Sequence, residues 1–126
     1  MKYPEMYEEL IGYLDDLRNK DYQIAVWVNK NFTSDVQFDE LDNSIHFLFD
    51  DTQLATDPNS CIGWFLKNEI EAELVGILCL ELDTIFKKYG TELTDEEYIN
   101  LPEWKNVLDA ADKAYRSMTK PEKQMP

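Results

Sequence analysis

The stretch NEIEAELVGILCLELDTIFKKYG, residues 68–90, decides the fold of this chain. Asn68 and Glu71 form the pattern of a capping box, which predicts that a helix begins directly after Asn68. Gly90 can adopt the left-handed conformation that ends such a helix. Because the middle of the stretch is apolar almost all round, it is typical of a helix in the centre of a domain. We therefore predict a central buried helix over about 69–89.

The apolar side of this predicted helix is unusually wide. It comprises Ile70, Leu74, Ile77, Leu78, Leu82, Ile85, Phe86 and Tyr89, and it is widened by Val75, Cys79 and Leu80. Gly76 lies among them although glycine costs about 1 kcal/mol relative to alanine inside a helix, which predicts the close approach of another helix. We expect Glu81 and Asp83 to reach solvent or to contact a partner.

Helical spacing of apolar residues also predicts helices near 4–19 and 104–118. A capping box at Thr94 and Glu97 predicts a short helix before the last one. The chain is long enough for one domain and too short for two of ordinary size. We predict a mainly α, compact multi-helix array in a single domain, residues 1–118, with a frayed tail at 119–126.

Two short segments leave the choice between helix and strand open. Residues 22–28 are rich in β-branched side chains, which favours a strand, whereas the neighbouring helices favour a helix. Residues 44–50 contain five consecutive bulky apolar or aromatic residues, Ile45 to Phe49 with His46 included, so their periodicity is hidden. A minor strand at either place is the alternative to a wholly helical chain. We expect residues 52–60 to form a long loop.

The net charge of −14 is concentrated in one block of sequence. Residues 31–86 contain twelve carboxylates and a single cation, Lys67, which gives a net charge of −11. Such a block repels nucleic acid and anionic membranes and favours a basic protein partner. The predicted partner-binding residues are Asp35, Asp39, Glu40, Asp42, Asp50, Asp51 and Asp57, with Trp64 as an exposed aromatic anchor.

The side chains needed for most catalytic sites are missing from the sequence. The chain has one histidine, two cysteines and four scattered glycines, so it lacks convincing nucleophile, zinc and phosphate-loop motifs. We predict a protein that is not an enzyme and that needs no cofactor. The alternative is a metal-binding protein, a metal-assisted enzyme or a pH sensor that uses Asp42, His46 and Asp50, spaced i, i+4, i+8. The competing interpretation of those three residues is a solvated helix face.

Composition also predicts where the protein works. The two cysteines are isolated, so we expect reduced thiols. The first residues lack the apolar segment of a signal peptide, and the chain has no apolar run near the roughly 20 residues that span a bilayer. These features favour a cytoplasmic protein that is a monomer or a weak dimer.

Several short motifs resemble those of a family of small, acidic, uncharacterised bacterial proteins. They are Tyr22-Gln23, Val26-Trp-Val28, Phe38-Asp-Glu-Leu41, Ile45, Phe49-Asp-Asp-Thr52, Asp57-Pro58, Ile62-Gly63, Leu66 and Trp104-Lys-Asn-Val107. In size, acidity and lack of catalytic residues the chain also resembles the immunity proteins of contact-dependent growth inhibition and related polymorphic-toxin systems. That resemblance implies a cytosolic protein that binds a cognate toxin domain, commonly a basic nuclease. The other interpretation of the same features is a regulatory adaptor unrelated to toxins.

Overall fold

A computed structural model describes residues 2–30 and 40–120 of the chain. Its helices in chain order are α1 (Pro4–Arg18), α2 (Lys20–Tyr22), the π-helix π1 (Gln23–Val28), α3 (Leu41–Ile45), the π-helix π2 (His46–Asp51), a 3₁₀ helix (Pro58–Cys61), α4 (Glu69–Tyr89), α5 (Asp95–Ile99) and α6 (Trp104–Thr119). The prediction of a mainly α, multi-helix array is confirmed. The predicted site residues Asp35 and Asp39 lie outside the described residues.

Both segments that could have been strands are helical, and both are wound as π-helices. The amide of Asn29 donates to the carbonyl oxygen of Ile24 at 2.9 Å, the five-residue separation that defines this wider helix. In the second segment the hydroxyl of Thr52 donates to the carbonyl oxygen of Phe47 at 2.9 Å and closes the last turn. Within residues 2–30 and 40–120, the predicted alternative of a minor strand does not occur.

The core lies where α6 packs against both α1 and α4. The buried side chains of these three helices include Leu10 and Leu14 from α1, Leu78 from α4, and Val107 and Ala111 from α6. Because helices without a packed apolar face are marginal at these lengths, the contacts among the three helices hold the fold together.

A buried polar contact joins the three helices at one end. Tyr7 Oη of α1 lies 3.0 Å from Glu71 Oε2 of α4 and 3.0 Å from the carbonyl oxygen of Met118 in α6. Glu71 is only 3% exposed, so its carboxylate needs such partners. Burial, followed by the bond to Glu71, raises the pKa of Tyr7, which keeps the hydroxyl protonated.

The start of α4 differs in one contact from the predicted capping box. Asn68 Oδ1 accepts a hydrogen bond from the amide of Glu71 at 2.9 Å, as predicted. The Glu71 carboxylate, however, accepts from the amide of Lys67 at 2.8 Å, one residue before the cap. The difference follows from the second contact of Glu71, because its other oxygen is directed at Tyr7.

The helix α4 has the predicted bounds, but one of its faces is open to solvent. Ile70 is 62% exposed, Ile77 43% and Leu80 65%, so the expectation that these three side chains are buried is wrong. Packing against α6 and the 3₁₀ helix covers only part of the helix circumference. A sequence that is apolar almost all round thus leaves an apolar stripe on the surface.

Gly76 inside α4 and Gly90 directly after it have the roles that the sequence predicted, with one change of partner. A Cβ atom at Gly76 would lie 3.3 Å from the Cγ atom of Pro58, so the close neighbour is the 3₁₀ helix and not a long helix. Gly90 adopts a positive φ of 85°, and its amide donates to the carbonyl oxygen of Phe86 at 2.8 Å. The helix therefore ends where predicted.

In the part of the chain that the structure describes, every helix is too short or too polar to cross a membrane. 

Candidate functional site

A groove with acidic walls lies between α3, the end of α4 and α5. Its volume is about 480 Å³. We call it the acidic groove and define it by five lining carboxylates, Glu40, Asp42, Asp83, Glu92 and Asp95. Among the described residues that line it there is neither a lysine nor an arginine. Its potential is therefore strongly negative, and concave shape concentrates that field.

The floor of the acidic groove is apolar and aromatic. Phe86 of α4 makes edge-to-face contacts with Phe49 at a ring-centroid distance of 6.3 Å and with Tyr98 at 5.5 Å. Leu41, Ile45 and Leu93 complete the apolar lining. Such packed rings hold their positions, and their exposed faces can contact an apolar or a cationic group.

Two hydrogen bonds fix the walls of the groove. Asp95 Oδ2 accepts from the amide of Leu41 at 3.0 Å, which ties the first turn of α5 to the first turn of α3. Tyr98 Oη donates to the carbonyl oxygen of Gly90 at 2.7 Å, which holds the α4–α5 connection against α5. Burial raises the pKa of Tyr98, so its hydroxyl remains a donor across the physiological range.

Among the lining carboxylates, Asp83 is paired with a lysine. Asp83 Oδ2 lies 2.8 Å from Lys87 Nζ, one turn further along α4. Asp42 lies 4.0 Å from His46 Nε2 and its side chain is 71% exposed. Carboxylates at this exposure attract a distant cation but hold it weakly on their own, because water and salt screen them.

Acidic walls over an aromatic floor suit the side chain of lysine or arginine. The aliphatic stem of such a side chain can lie on Phe49 and Phe86 while its cationic head meets the carboxylates. A phosphate or a nucleic acid would meet only like charge. The arrangement therefore has the charge and shape that suit a basic segment of protein.

The predicted partner-binding residues that the structure describes do not form one site. Glu40 and Asp42 line the acidic groove. Asp51 and Trp64 line a second cavity of about 360 Å³. Asp50 and Asp57 are exposed and lie in the lining of neither.

Trp64 is the exposed tryptophan, as predicted. Its side chain is 45% exposed, whereas Trp27 and Trp104 are each 1% exposed. The Trp64 ring stacks on Tyr3 at a centroid distance of 5.7 Å, and Lys2 Nζ lies 4.5 Å from its centroid. The predicted anchor therefore stacks on a second aromatic ring and has a cation beside it.

Asp42, His46 and Asp50 do share one exposed face. His46 Nδ1 lies 2.7 Å from Asp50 Oδ2, while Asp42 is further away on the other side of the ring. Across residues 2–30 and 40–120, no three acidic, histidine or cysteine side chains are grouped so that they could hold a metal ion. The geometry is that of a solvated helix face.

Three groove residues were missing from the predicted site. For Asp83 the sequence predicts only that it reaches solvent or contacts a partner, and Glu92 and Asp95 lie outside the acidic block of residues 31–86. Asp95 follows a Thr cap and has the appearance of an ordinary first-turn acid. The sequence does contain one signal for these residues. The predicted helix stop lies between Asp83 and Asp95, so the chain can turn there and bring the next helix back beside α4.

Comparison with known protein families identifies the family of the chain. The model of the domain of unknown function DUF7945 matches residues 1–126. The chain belongs to this family. The description of the family gives its function as unknown, which agrees with the resemblance to uncharacterised proteins. The resemblance to immunity proteins stays a prediction. No curated protein and no solved structure matches the chain.

Proposed function

We propose that this protein is an immunity-type inhibitor that binds a basic toxin domain, a nuclease in the simplest case, through the acidic groove. The observation that carries the proposal is the groove itself, which has five carboxylates on its walls and an aromatic floor. The net charge of −14 adds a long-range attraction for a basic partner.

Binding would place a lysine or arginine of the toxin in the groove. The side-chain stem packs on Phe49 and Phe86, and the cation meets Asp42 and Glu92, which lie on the groove walls. Nucleases hold phosphates with the same kind of side chain, so a toxin cation engaged here no longer binds its substrate. Inhibition by occupation requires no reaction on the part of the inhibitor.

The cavity beside Trp64 supplies a second contact in this proposal. A half-exposed tryptophan supported by Tyr3 can bury apolar surface against a partner with little loss of side-chain freedom. The negative surface around these two sites also includes Asp50, Asp51 and Asp57. We add Asp35 and Asp39, which belong to the acidic block of the sequence. Such an inhibitor acts in the cytoplasm, where the toxin is delivered, and as a monomer or weak dimer.

The test is protection against the toxin domain encoded beside the gene. Cells that express that domain are rescued by the wild-type protein, and purified partners give the association rate at several salt concentrations. Reversing Asp42 and Glu92 to lysine removes the groove potential, and we expect association at low salt to slow by about tenfold or more and to depend less on salt. Both residues are exposed, so the fold tolerates the change.

The matched control reverses Glu8 and Glu9 on α1 to lysine. Their reversal changes the net charge by the same amount as the reversal of Asp42 and Glu92. Both residues are exposed and lie outside the lining of the acidic groove. Equal slowing by both pairs would show that total charge, and not the groove, drives binding. Full protection by the Asp42/Glu92 variant would refute the proposal, and a basic partner without toxin activity would favour the regulatory adaptor.

A further inference from the structure

We propose that the exposed face of α4 is a docking site for a basic amphipathic helix of a partner protein. The face is defined by Ile70, Glu73, Ile77, Leu80 and Thr84, and its apolar members are among the most exposed large hydrophobic side chains of the described residues. This inference does not rest on the proposed toxin or on the acidic groove.

The spacing of the face is that of a helix-binding seam. Ile70, Glu73, Ile77, Leu80 and Thr84 alternate by three and four residues, the repeat of the a and d positions in a coiled coil. Ile70 and Leu80 are ten residues apart, so the apolar part of the seam is about 15 Å long. Two turns or more of a facing helix would cover it.

The charges along the face identify the chemistry of the occupant. Glu69, Glu73 and Glu81 have no ion-pair partner among the residues that the structure describes. Both cations of α4 are already engaged, Lys87 with Asp83 at 2.8 Å and Lys88 with Glu103 at 2.7 Å. The face therefore offers apolar contacts together with uncompensated negative charge, which lysine or arginine on the partner would neutralise.

The same charges disfavour a second copy of this chain as the occupant. In a parallel pair of α4 helices, Glu73 would face Glu73 of the other copy. In an antiparallel pair centred on Ile77 it would lie level with Glu81 of the other copy, so like charges would again meet. Two chains that each carry −14 also repel one another.

A groove continues the face towards α6. It has a volume of about 300 Å³ and is lined by Ile77 and Glu81 of α4 and by Asp109 and Lys113 of α6, among others. On the opposite flank of α4, Asp83 and Phe86 point into the acidic groove. The two sites thus use different sides of one helix and can be mutated separately.

The experiment uses the full chain and a synthetic peptide of about three heptads, with leucine at the a and d positions, lysine at the flanks and one lysine at a central d position. Two control peptides replace every lysine by glutamate or every leucine by serine. We expect the basic amphipathic peptide to bind and to shift the amide resonances of residues 70–84. Neither control should match it, because one lacks the charge and the other the apolar seam.

Variants of the chain locate the binding. Ile70→Ser and Leu80→Ser remove apolar contacts at positions more than 60% exposed, so folding is preserved, and each should weaken peptide binding by about tenfold. Glu73→Gln should weaken it a few-fold and reduce its salt dependence. The thermal melt of each variant checks that the fold is intact.

The groove variant with Asp42→Asn and Glu92→Gln separates this site from the proposed toxin-binding site, and it should bind the peptide as the wild type does. Absence of peptide binding, equal binding by the glutamate peptide, or binding that Leu80→Ser leaves unchanged would each overturn the inference. So would loss of binding in the groove variant, which would place the peptide in the acidic groove. Self-association that Leu80→Ser abolishes would make a second copy the occupant instead.

Discussion

Replacing Tyr7 with phenylalanine tests the junction that joins α1, α4 and α6. The substitution keeps the buried ring and removes the hydroxyl, which lies 3.0 Å from both Glu71 Oε2 and the carbonyl oxygen of Met118. A hydroxyl has one proton and donates one full hydrogen bond at a time. Losing a buried bond to a charged acceptor costs about 1.5–3 kcal/mol, so we expect the free energy of unfolding to fall by about 2 kcal/mol.

Urea denaturation followed by far-ultraviolet circular dichroism measures this change. If the free energy of unfolding falls by roughly 2 kcal/mol per molar urea, a loss of about 2 kcal/mol lowers the midpoint of the urea transition by about 1 M. The matched control is Tyr115→Phe, because the described residues show no hydrogen bond of the Tyr115 hydroxyl. Its half-buried ring lies under Arg18, with the guanidinium carbon 3.8 Å from the ring centroid, and that contact survives the change.

A loss below about 0.5 kcal/mol for Tyr7→Phe, or a loss equal to that of the control, would refute the assigned role of the junction. A double-mutant cycle with Glu71→Gln gives the coupling directly. Residues in contact within one buried network are expected to show an interaction energy of about 0.5–3 kcal/mol. Additive effects of the two substitutions would contradict the contact between them.

Three further predictions concern single side chains. Ser44→Ala should raise the free energy of unfolding by about 1 kcal/mol in urea titrations, because its buried hydroxyl has no hydrogen-bond partner among the described residues; a loss of stability would show a partner for that oxygen. Burial raises the pKa of the Cys79 thiol from 9.0 to about 12, so the unfolded chain loses this proton first as the pH rises. The stabilising contribution of the neutral thiol is complete below pH 9 and falls by up to about 1.4 kcal/mol per pH unit towards pH 12, and Cys79→Ala should flatten that decline in alkaline denaturation. Trp64→Phe should remove most of the tryptophan fluorescence that acrylamide quenches, because Trp27 and Trp104 are buried; unchanged quenching would contradict the exposure of Trp64.

The helices that could be predicted are those with signals close together in the chain. The cap at Asn68, the stop at Gly90 and the capping box of Thr94 and Glu97 act within a single turn, and each occurs in the structure. The π-helical winding of Gln23–Val28 could not be predicted. Its Gln23 side chain is held by Trp104 Nε1 at 3.0 Å, a partner 81 residues away in sequence.

The acidic groove could be predicted only in part, because some of its residues are brought together by contacts between distant parts of the sequence. Glu40 and Asp42 belong to the acidic block, which charge counting detects. Glu92 and Asp95 join them only because α5 folds back beside α3, where Asp95 accepts the amide of Leu41. Charge along a sequence shows how many carboxylates there are, and the fold decides which of them share a surface.

By itself, then, the amino-acid sequence determined the helical class, the bounds of α4 and the acidity of the chain, because periodicity, caps and charge are local or additive properties. The tertiary structure decided which apolar residues are buried. Ile77 and Leu78 are adjacent and similarly apolar, yet one is 43% exposed and the other is fully buried. Burial depends on which neighbouring helices cover a face, and that covering is a property of the packed chain as a whole.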